Sequence, residues 1–421
     1  MSSPDVIIVG GGLAGLACAR HLHRHGQSFV LLEASDRVGG RVRTDTVDGF
    51  TLDRGFQVLL TAYPETQRAF DYDALDLQAF HDGALIRFDG QFHRISDPFR
   101  HPFAAPNTLI APVGTLGDKI RVARLRRRLK RDTLPELFMR DEATTIDALR
   151  QRWGFSDRMI DRFFRPFFGG IFFDRELHAS SRMFEFVFKM FAEGQAALPA
   201  AGMEALPRQL VADLPPDAIR LNTTVAAIDN QRVMLDDGTA LEAPALVVAT
   251  EAPAAQRLVG DIQPVKGRST TCLYYAAANS PIDAPMLVLN GDGTGPINNL
   301  CVPSDVTPAY APAGQALISV VVVGSPATTD DALEQRVRQQ LTDWFGPPVE
   351  LWDHLRTQRI PYALPEQRPP FLSPPRRPVR RRAGLYVCGD HRRTASLNGA
   401  LAAGRAAADA VLSDHPALAA A

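Results

Sequence analysis

Residues 5–33 hold the chain to one local architecture. Val6-Ile7-Ile8-Val9 is a β-branched run closed by glycine and reads as a buried strand. Gly10-Gly11-Gly12-Leu13-Ala14-Gly15 follows at once, with glycines in the GxGxxG spacing at Gly10, Gly12 and Gly15. Next comes a helix pattern with Ala14, Cys18 and Leu22 on one face, which Gly26 ends. Phe29-Val30-Leu31-Leu32 is a second strand, and Glu33 stands at its end, 18 residues past Gly15. Strand, glycines, helix, strand and acid in register make a complete βαβ unit of about 30 residues. The physics assigns each glycine a task. Gly10 makes the tight turn, Gly12 lets backbone approach a pyrophosphate, and Gly15 lets helix and strand pack closely. The N–H groups of Leu13 and Ala14 open the helix, whose N-terminus attracts phosphate. Glu33 is placed to accept from ribose hydroxyls. His21, His23 and His25 alternate at spacing two on this helix, so they form a solvated face and cannot converge on one metal ion.

The following stretch decides between dinucleotides. Glu33-Ala34-Ser35-Asp36-Arg37-Val38-Gly39-Gly40-Arg41-Val42-Arg43-Thr44 puts a double glycine and three arginines directly after the ribose-binding acid. Arginine forks suit phosphate, and Gly39-Gly40 permits close backbone approach. This stretch resembles the Rxx-GGR-x-x-T signature of the superfamily of flavin-containing amine oxidases, protoporphyrinogen oxidases and carotenoid (phytoene) desaturases. The C-terminus resembles that superfamily's second signature. Gly384-Leu385-Tyr386-Val387-Cys388-Gly389-Asp390 is a strand ending in Gly-Asp, and Ser396-Leu397-Asn398-Gly399-Ala400 opens a helix rich in alanine and glycine.

The resemblance implies non-covalent FAD. It places Ala34, Arg37, Gly39, Gly40 and Arg41 in the FAD site, Gly389 and Asp390 at the ribityl and pyrophosphate region, and the backbone of Asn398, Gly399 and Ala400 at the flavin's N1/O2 side. A helix N-terminus there stabilises the charge of reduced flavin. Leu221-Asn222-Thr223-Thr224-Val225 looks like the strand whose Val225 backbone meets adenine. Leu246-Val247-Val248-Ala249-Thr250 looks like the buried strand ending in the family's Ala249-Thr250 turn. The implied fold is α/β: a discontinuous Rossmann-like FAD-binding domain over 1–75, 200–265 and 380–421, and an α+β substrate-binding domain over 76–199 and 266–379 with a mixed sheet and a helical insertion. The 421 residues suit two or three domains. Ala316–Val323, apolar except for Ser319, reads as a strand of that sheet.

Two features stand outside the cofactor motifs. Lys119 to Arg131 carries eight basic residues, with Val122, Leu125 and Leu129 as an apolar stripe. A basic amphipathic helix of this kind suits either packing by its stripe or peripheral membrane contact through 117–131. Phe163 to Phe173 holds six phenylalanines in eleven residues around Gly169-Gly170. That density suits a hydrophobic core, or the wall of a pocket for an apolar substrate. It is similar to the aromatic-Arg-Pro stretch of the desaturase and protoporphyrinogen oxidase branch, and Gly202-Met203-Glu204-Ala205-Leu206-Pro207 continues the similarity.

Amine oxidases flank their substrate with two aromatic rings, one just before the flavin-facing helix; Ser396 stands at that position. Cys388, directly before Gly389-Asp390, reads as a buried strand residue and not as a flavin link. The expected activity is therefore FAD-dependent dehydrogenation or desaturation of a hydrophobic small molecule, isoprenoid, carotenoid-like or porphyrinogen-like, with hydride passing to flavin N5. An amine oxidase is the alternative within the enzyme class, and an FAD-binding protein of structural or redox-sensing role the alternative outside it. Flavin accepts hydride itself, so no conventional acid or base is required; Tyr362, Gln57 and Asn398 are the catalytic candidates.

Bulk properties narrow the partners. Lys+Arg (46) and Asp+Glu (47) nearly cancel, which argues against nucleic acid. Four scattered cysteines without CxxC spacing indicate neither zinc nor a disulfide framework. No run approaches the roughly 18 apolar residues of a membrane span, and no signal peptide precedes the first strand. A cytoplasmic, optionally membrane-associated protein is expected, with oxygen or a quinone as electron acceptor.

Overall fold

The computed structural model describes residues 4–97, 100 and 111–415. Its first layer is a six-stranded sheet in the order Ile219–Arg220, Phe29–Leu32, Val6–Val9, Ala245–Val248, Leu385–Val387 and Arg380–Arg382. The first five strands run parallel, and only the last is antiparallel. The three central strands are buried along their whole length, which is why they read as unbroken apolar runs and not as alternating ones. Three separate stretches of chain thus build one sheet.

The helix Leu13–Arg24 and the C-terminal helix Leu397–Asp414 lie together on one face of this sheet, and they touch backbone to backbone. A side chain begun at Gly404 would stand 2.0 Å from the Ala14 carbonyl oxygen. Gly404→Ala must therefore push the helices apart. A loss of about 1–3 kcal/mol, typical of overpacking, is expected in urea unfolding; an unchanged midpoint would mean the helices already part freely.

A second, seven-stranded mixed sheet runs in the order Asp353–Pro365, Gly267–Ala277, Ala316–Val323, Asn299–Cys301, Leu287–Asn290, Gly83–Phe88 and Gln91–Ser96. The run Ala316–Val323 forms a strand as its pattern predicts, buried at seven of eight positions. One pair, Leu287–Asn290 with Gly83–Phe88, is parallel, and the others are antiparallel. Between the two parts of this sheet the chain inserts helices from Leu116–Arg131 to Ser181–Glu193.

The basic helix begins at Leu116 with a capping box between Thr115 and Asp118. Burial would raise the Asp118 pKa, but hydrogen bonds from Ser156 and Thr115 overcome it and hold the carboxyl at about 2. Leu125 and Leu129 are fully buried and Val122 partly so, in a cluster shared with Ser181–Glu193. The apolar stripe is thus covered by protein, while Arg124, Arg127, Arg128, Lys130 and Arg131 face solvent.

The phenylalanine stretch forms a π-helical segment, Ile160–Phe164, running into the helix Arg165–Phe172. Phe164, Phe168 and Phe172 repeat every four residues and are core. Phe163 and Phe167 stack on each other with rings 5.4 Å apart and are only half-buried. The stretch is therefore mainly packing for the insertion.

One expected strand is differently built. Leu221 to Thr224 form a turn, in which Asn222 has φ +50°, between Ile219–Arg220 and the strand Val225–Asp229. Asn222 N–H donates to the Ser35 carbonyl and Thr223 N–H to that of Glu33. The polar residues serve to bring Val225 beside the end of the second strand.

Candidate cofactor site

The glycine loop sits at the carboxyl end of the parallel sheet, where ligands bind in open α/β sheets. Gly10 has φ +107°, a conformation that L side chains rarely adopt. At Gly15 a methyl group would stand 1.9 Å from the Gly10 carbonyl oxygen, so the helix packs on the loop as closely as backbone allows. Gly12 is the opposite case, because a side chain there would meet nothing within 4 Å. Its face is an open cradle. Gly39 N–H donates to the Gly11 carbonyl at 2.8 Å, and Gly40 lies against the Gly12 Cα. The two glycine motifs therefore form one wall.

Glu33 stands at the end of its strand as expected. Its Oε2 accepts from Gly11 N–H at 2.7 Å and its Oε1 from Ser35 N–H at 2.9 Å. Oε1 also takes the Ser35 hydroxyl at 2.5 Å, whereas Oε2 keeps a second lone pair, so the group can hold the loop and still accept from a sugar hydroxyl. Ala34 continues from it, and Val225, 6% exposed, is brought alongside by the Asn222 turn.

The three arginines after Glu33 separate in role. Arg43 is buried and donates to Asp36, to the Ser35 hydroxyl and to the Arg37 carbonyl. Arg37 pairs with Asp45 and lies 3.7 Å from Glu204. These two brace the loop. Arg41 reaches across the molecule, donating to Asp390 Oδ2 at 2.8 Å and to the Ala363 carbonyl at 2.8 Å. Burial alone would lower its pKa; the adjoining Asp390 carboxylate more than offsets that and holds it above the ordinary guanidinium value. The two signature motifs, 349 residues apart in sequence, meet in this one ion pair.

Two of the three catalytic candidates converge here. Gln57 donates to the Arg41 and Arg54 carbonyls at 2.9 and 3.0 Å. The Tyr362 ring lies 5.8 Å from the Arg41 guanidinium, its buried hydroxyl lies near the Ala252 backbone, and burial pushes its pKa up. Asn398 is placed elsewhere, with its Oδ1 accepting from Glu65 N–H at 2.9 Å. At the helix N-terminus, Ser396 Oγ takes the Gly399 N–H at 3.0 Å and the Ser396 carbonyl takes the Ala400 N–H at 3.0 Å. Among the three backbone groups named from sequence, Gly399 and Ala400 are thus engaged within the cap.

The residues fit a bound FAD. Besides the open face of Gly12, Thr250 Oγ1 and both ring nitrogens of His391 are buried without a protein partner among the described residues. Thr250 and His391 both lie against Gly389, directly before Asp390. Burial drives the His391 pKa down to about 4, with Arg392 and Arg41 adding to it against Asp390, so the ring is neutral at physiological pH and can donate or accept. Buried polar atoms left unmatched are costly, and these line the end of the sheet where the cofactor motifs meet. Gly10, Gly12, Leu13, Ala14, Gly15, Glu33, Gly39, Gly40, Arg41, Ala249, Thr250, Gly389 and Asp390 are the residues that would hold the cofactor.

Sequence reading missed Asp53. Its buried carboxylate accepts from the Thr44 hydroxyl, from Met203 N–H at 2.8 Å and from the Tyr310 hydroxyl at 2.7 Å. It thereby ties the strand Phe50–Asp53 to the start of Ala205–Val211 and to the second sheet's connection. Burial, with Glu204 adding, raises its pKa to about 6 against those hydrogen bonds. A raised folded-state pKa means that the native protein holds a proton the unfolded chain has lost between 3.8 and about 6. The contribution to stability is full below the lower value and is lost as pH rises through the upper one, by about 3 kcal/mol. Asp53→Asn cannot ionise. Urea unfolding should show the variant gaining on the wild type by that order between pH 4 and 7; a pH-independent difference would refute the assignment.

Comparison with known proteins agrees with this geometry. The family model of flavin containing amine oxidoreductases matches residues 13–412. Polyamine oxidase 3 of Oryza sativa subsp. japonica is 31% identical over 136 residues, 31% of this chain and 28% of that protein. Putrescine oxidase of Kocuria rosea is 53% identical over 92 residues, 21% of this chain and 19% of that one. In both relatives the matched stretch spans less than a third of their length. The fold is shared far more widely. A putative protoporphyrinogen oxidase from Exiguobacterium sp. 255-15 superposes with a TM-score of 0.73 at 21% identity, covering 98% of this chain and 99% of that one. Cyclohexylamine oxidase from Brevibacterium oxydans IH-35A gives 0.70 at 18%, covering 98% and 100%. With the family model matching residues 13–412, the chain belongs to the flavin-containing amine oxidoreductase family.

Proposed function

We propose that the enzyme dehydrogenates or desaturates a hydrophobic small molecule, of isoprenoid, carotenoid-like or porphyrinogen-like character, in preference to oxidising an amine. The observation that carries this reading is Ser396. At the position where the family's amine oxidases place an aromatic ring, this chain has a hydroxyl turned inward to cap its own helix at Gly399. A ring cannot make that bond, so the position is built as a helix cap and not as half of an aromatic cage. FAD when bound supplies the two-electron acceptor. The chain's part is to hold the cofactor through the glycine walls and Glu33, to fix Tyr362 and Gln57 by way of Arg41, and to keep the reacting bond away from water.

The test is anaerobic reduction of the protein's flavin absorbance. Polyenes or porphyrinogens should bleach it, and putrescine or cyclohexylamine should not. Bleaching by the amines alone would establish an amine oxidase, the reading to which the names of several relatives point. Bleaching by none would favour a structural or redox-sensing flavin.

A further inference from the structure

A second concave region lies away from the glycine loop. A groove of about 570 Å³ runs along the outer side of the helix Leu397–Asp414, between it and the helical insertion. Its insertion-side wall is apolar, made by Leu134, Phe138, Met139 and Phe186. Met139 is 77% exposed, so this wall is open to solvent.

The opposite wall carries Arg376, Arg393 and Arg405. Arg405 is satisfied, pairing with Glu65 at 2.7 Å and with Asp409 at 3.4 Å. Arg376 and Arg393 have no carboxylate partner among the described residues, and Arg393 Nε is buried without any hydrogen-bond acceptor. Burial lowers the Arg393 pKa, and the like charges of Arg376 and Arg405 lower it further against the pull of Glu65 and Asp409. The two carboxylates of this wall, Glu65 and Asp409, are both engaged by Arg405, so its three guanidinium groups outnumber its carboxylates by one. Arg376 is exposed at the rim and Arg393 half-buried with its Nε unaccepted, and a guanidinium fork in that setting suits carboxylate or phosphate.

We propose that this groove binds an anionic amphiphile, a small molecule whose carboxylate or phosphate meets Arg376 and Arg393 while its apolar body lies against Phe138, Met139 and Phe186. The inner end of the groove is formed by Asn398 and Gly399. Its occupant therefore abuts the end of the helix that family resemblance assigns to the flavin ring. That part rests on the function proposed above; the anion site itself does not. On both together, the substrate is an apolar molecule bearing an acidic group.

The experiment uses the FAD-loaded enzyme and calorimetric titration with decanoate, decyl phosphate and decanol. The two anions should each saturate a single site, at least tenfold more tightly than decanol, and the tighter of the two names the head group. Arg393→Gln and Arg376→Gln should each weaken the anions tenfold or more and leave decanol unchanged, with flavin content and melting temperature retained as evidence of an intact fold. Decanol binding as tightly as the anions, anion binding indifferent to both substitutions, or no saturable site would each overturn the proposal. Saturation should also shift the flavin's visible bands. Arginine-dependent binding without that shift would leave the anion site standing and remove instead the placement of Asn398 and Gly399 beside the ring.

Discussion

Gly15→Ala is expected to yield a protein that holds no FAD and unfolds at a lower temperature than the wild type. The added methyl would stand 1.9 Å from the Gly10 carbonyl oxygen, well inside van der Waals contact, and that oxygen belongs to backbone held by the sheet. Helix Leu13–Arg24 must shift outward, carrying with it the N–H groups that face the phosphates and its contact with Gly404. A destabilisation of about 1–3 kcal/mol follows from overpacking, or roughly 1–3 °C in a chain of this size. Gly12→Ala is the informative companion. Its methyl enters open space, so the apoprotein should melt as the wild type does, while the cradle is filled and FAD is lost. The ratio of flavin to protein absorbance after purification, read beside the melting temperature, checks both. If Gly12→Ala keeps its flavin, the open face of Gly12 is not where the pyrophosphate lies.

The second large effect concerns the pair that closes the site. Asp390 is 6% exposed in its side chain, whereas that of Arg41 is 32% exposed. The two deletions are therefore unequal. Asp390→Leu leaves a cation that can still reach water, at a cost of about 1–2 kcal/mol. Arg41→Met leaves a carboxylate buried without its partner, and breaking a buried pair in that sense costs about 3–5 kcal/mol. The double variant should recover much of the Arg41→Met loss, because it removes the stranded charge. Urea unfolding of the three apoproteins measures this, and equal single losses that simply add would show that the pair is not coupled.

The cofactor half of the molecule was legible because its physics is local. Val6–Val9, the glycine spacing and Glu33 lie within one βαβ unit, and each residue's task follows from its neighbours in sequence. The family resemblance then carried the reading to Asp390, which no local rule could have joined to Arg41 across 349 residues. Elsewhere local pattern ran out. Leu221–Val225 has the composition of a strand, but Asn222 adopts the left-handed region and the carbonyls of Glu33 and Ser35 take the adjacent N–H groups; nothing in the stretch itself announces that. Arg37 and Arg43 have the chemistry of phosphate ligands, yet their acceptors are Asp45, Asp36 and Ser35. Asp53 gave no signal, since its importance comes from burial and from Tyr310, far along the chain. The groove beside the C-terminal helix was equally silent, because its two arginines become a site only by lacking partners.

The order of strands in the first sheet has a consequence for how the protein comes to exist. Val6–Val9 finds one neighbour within 30 residues, Phe29–Leu32, but its other, Ala245–Val248, lies more than 200 residues on, and Leu385–Val387 is later still. Pairings so distant in sequence are slow to form, since the closure of long loops must precede any return from contact. Arg41 of the first signature is made 349 residues before Asp390 of the second, and the helix that packs on Ala14 follows Asp390. One side of the nucleotide cradle therefore exists throughout that interval without the other. A ligand that binds only the completed cradle would favour the pairing of these distant segments by mass action.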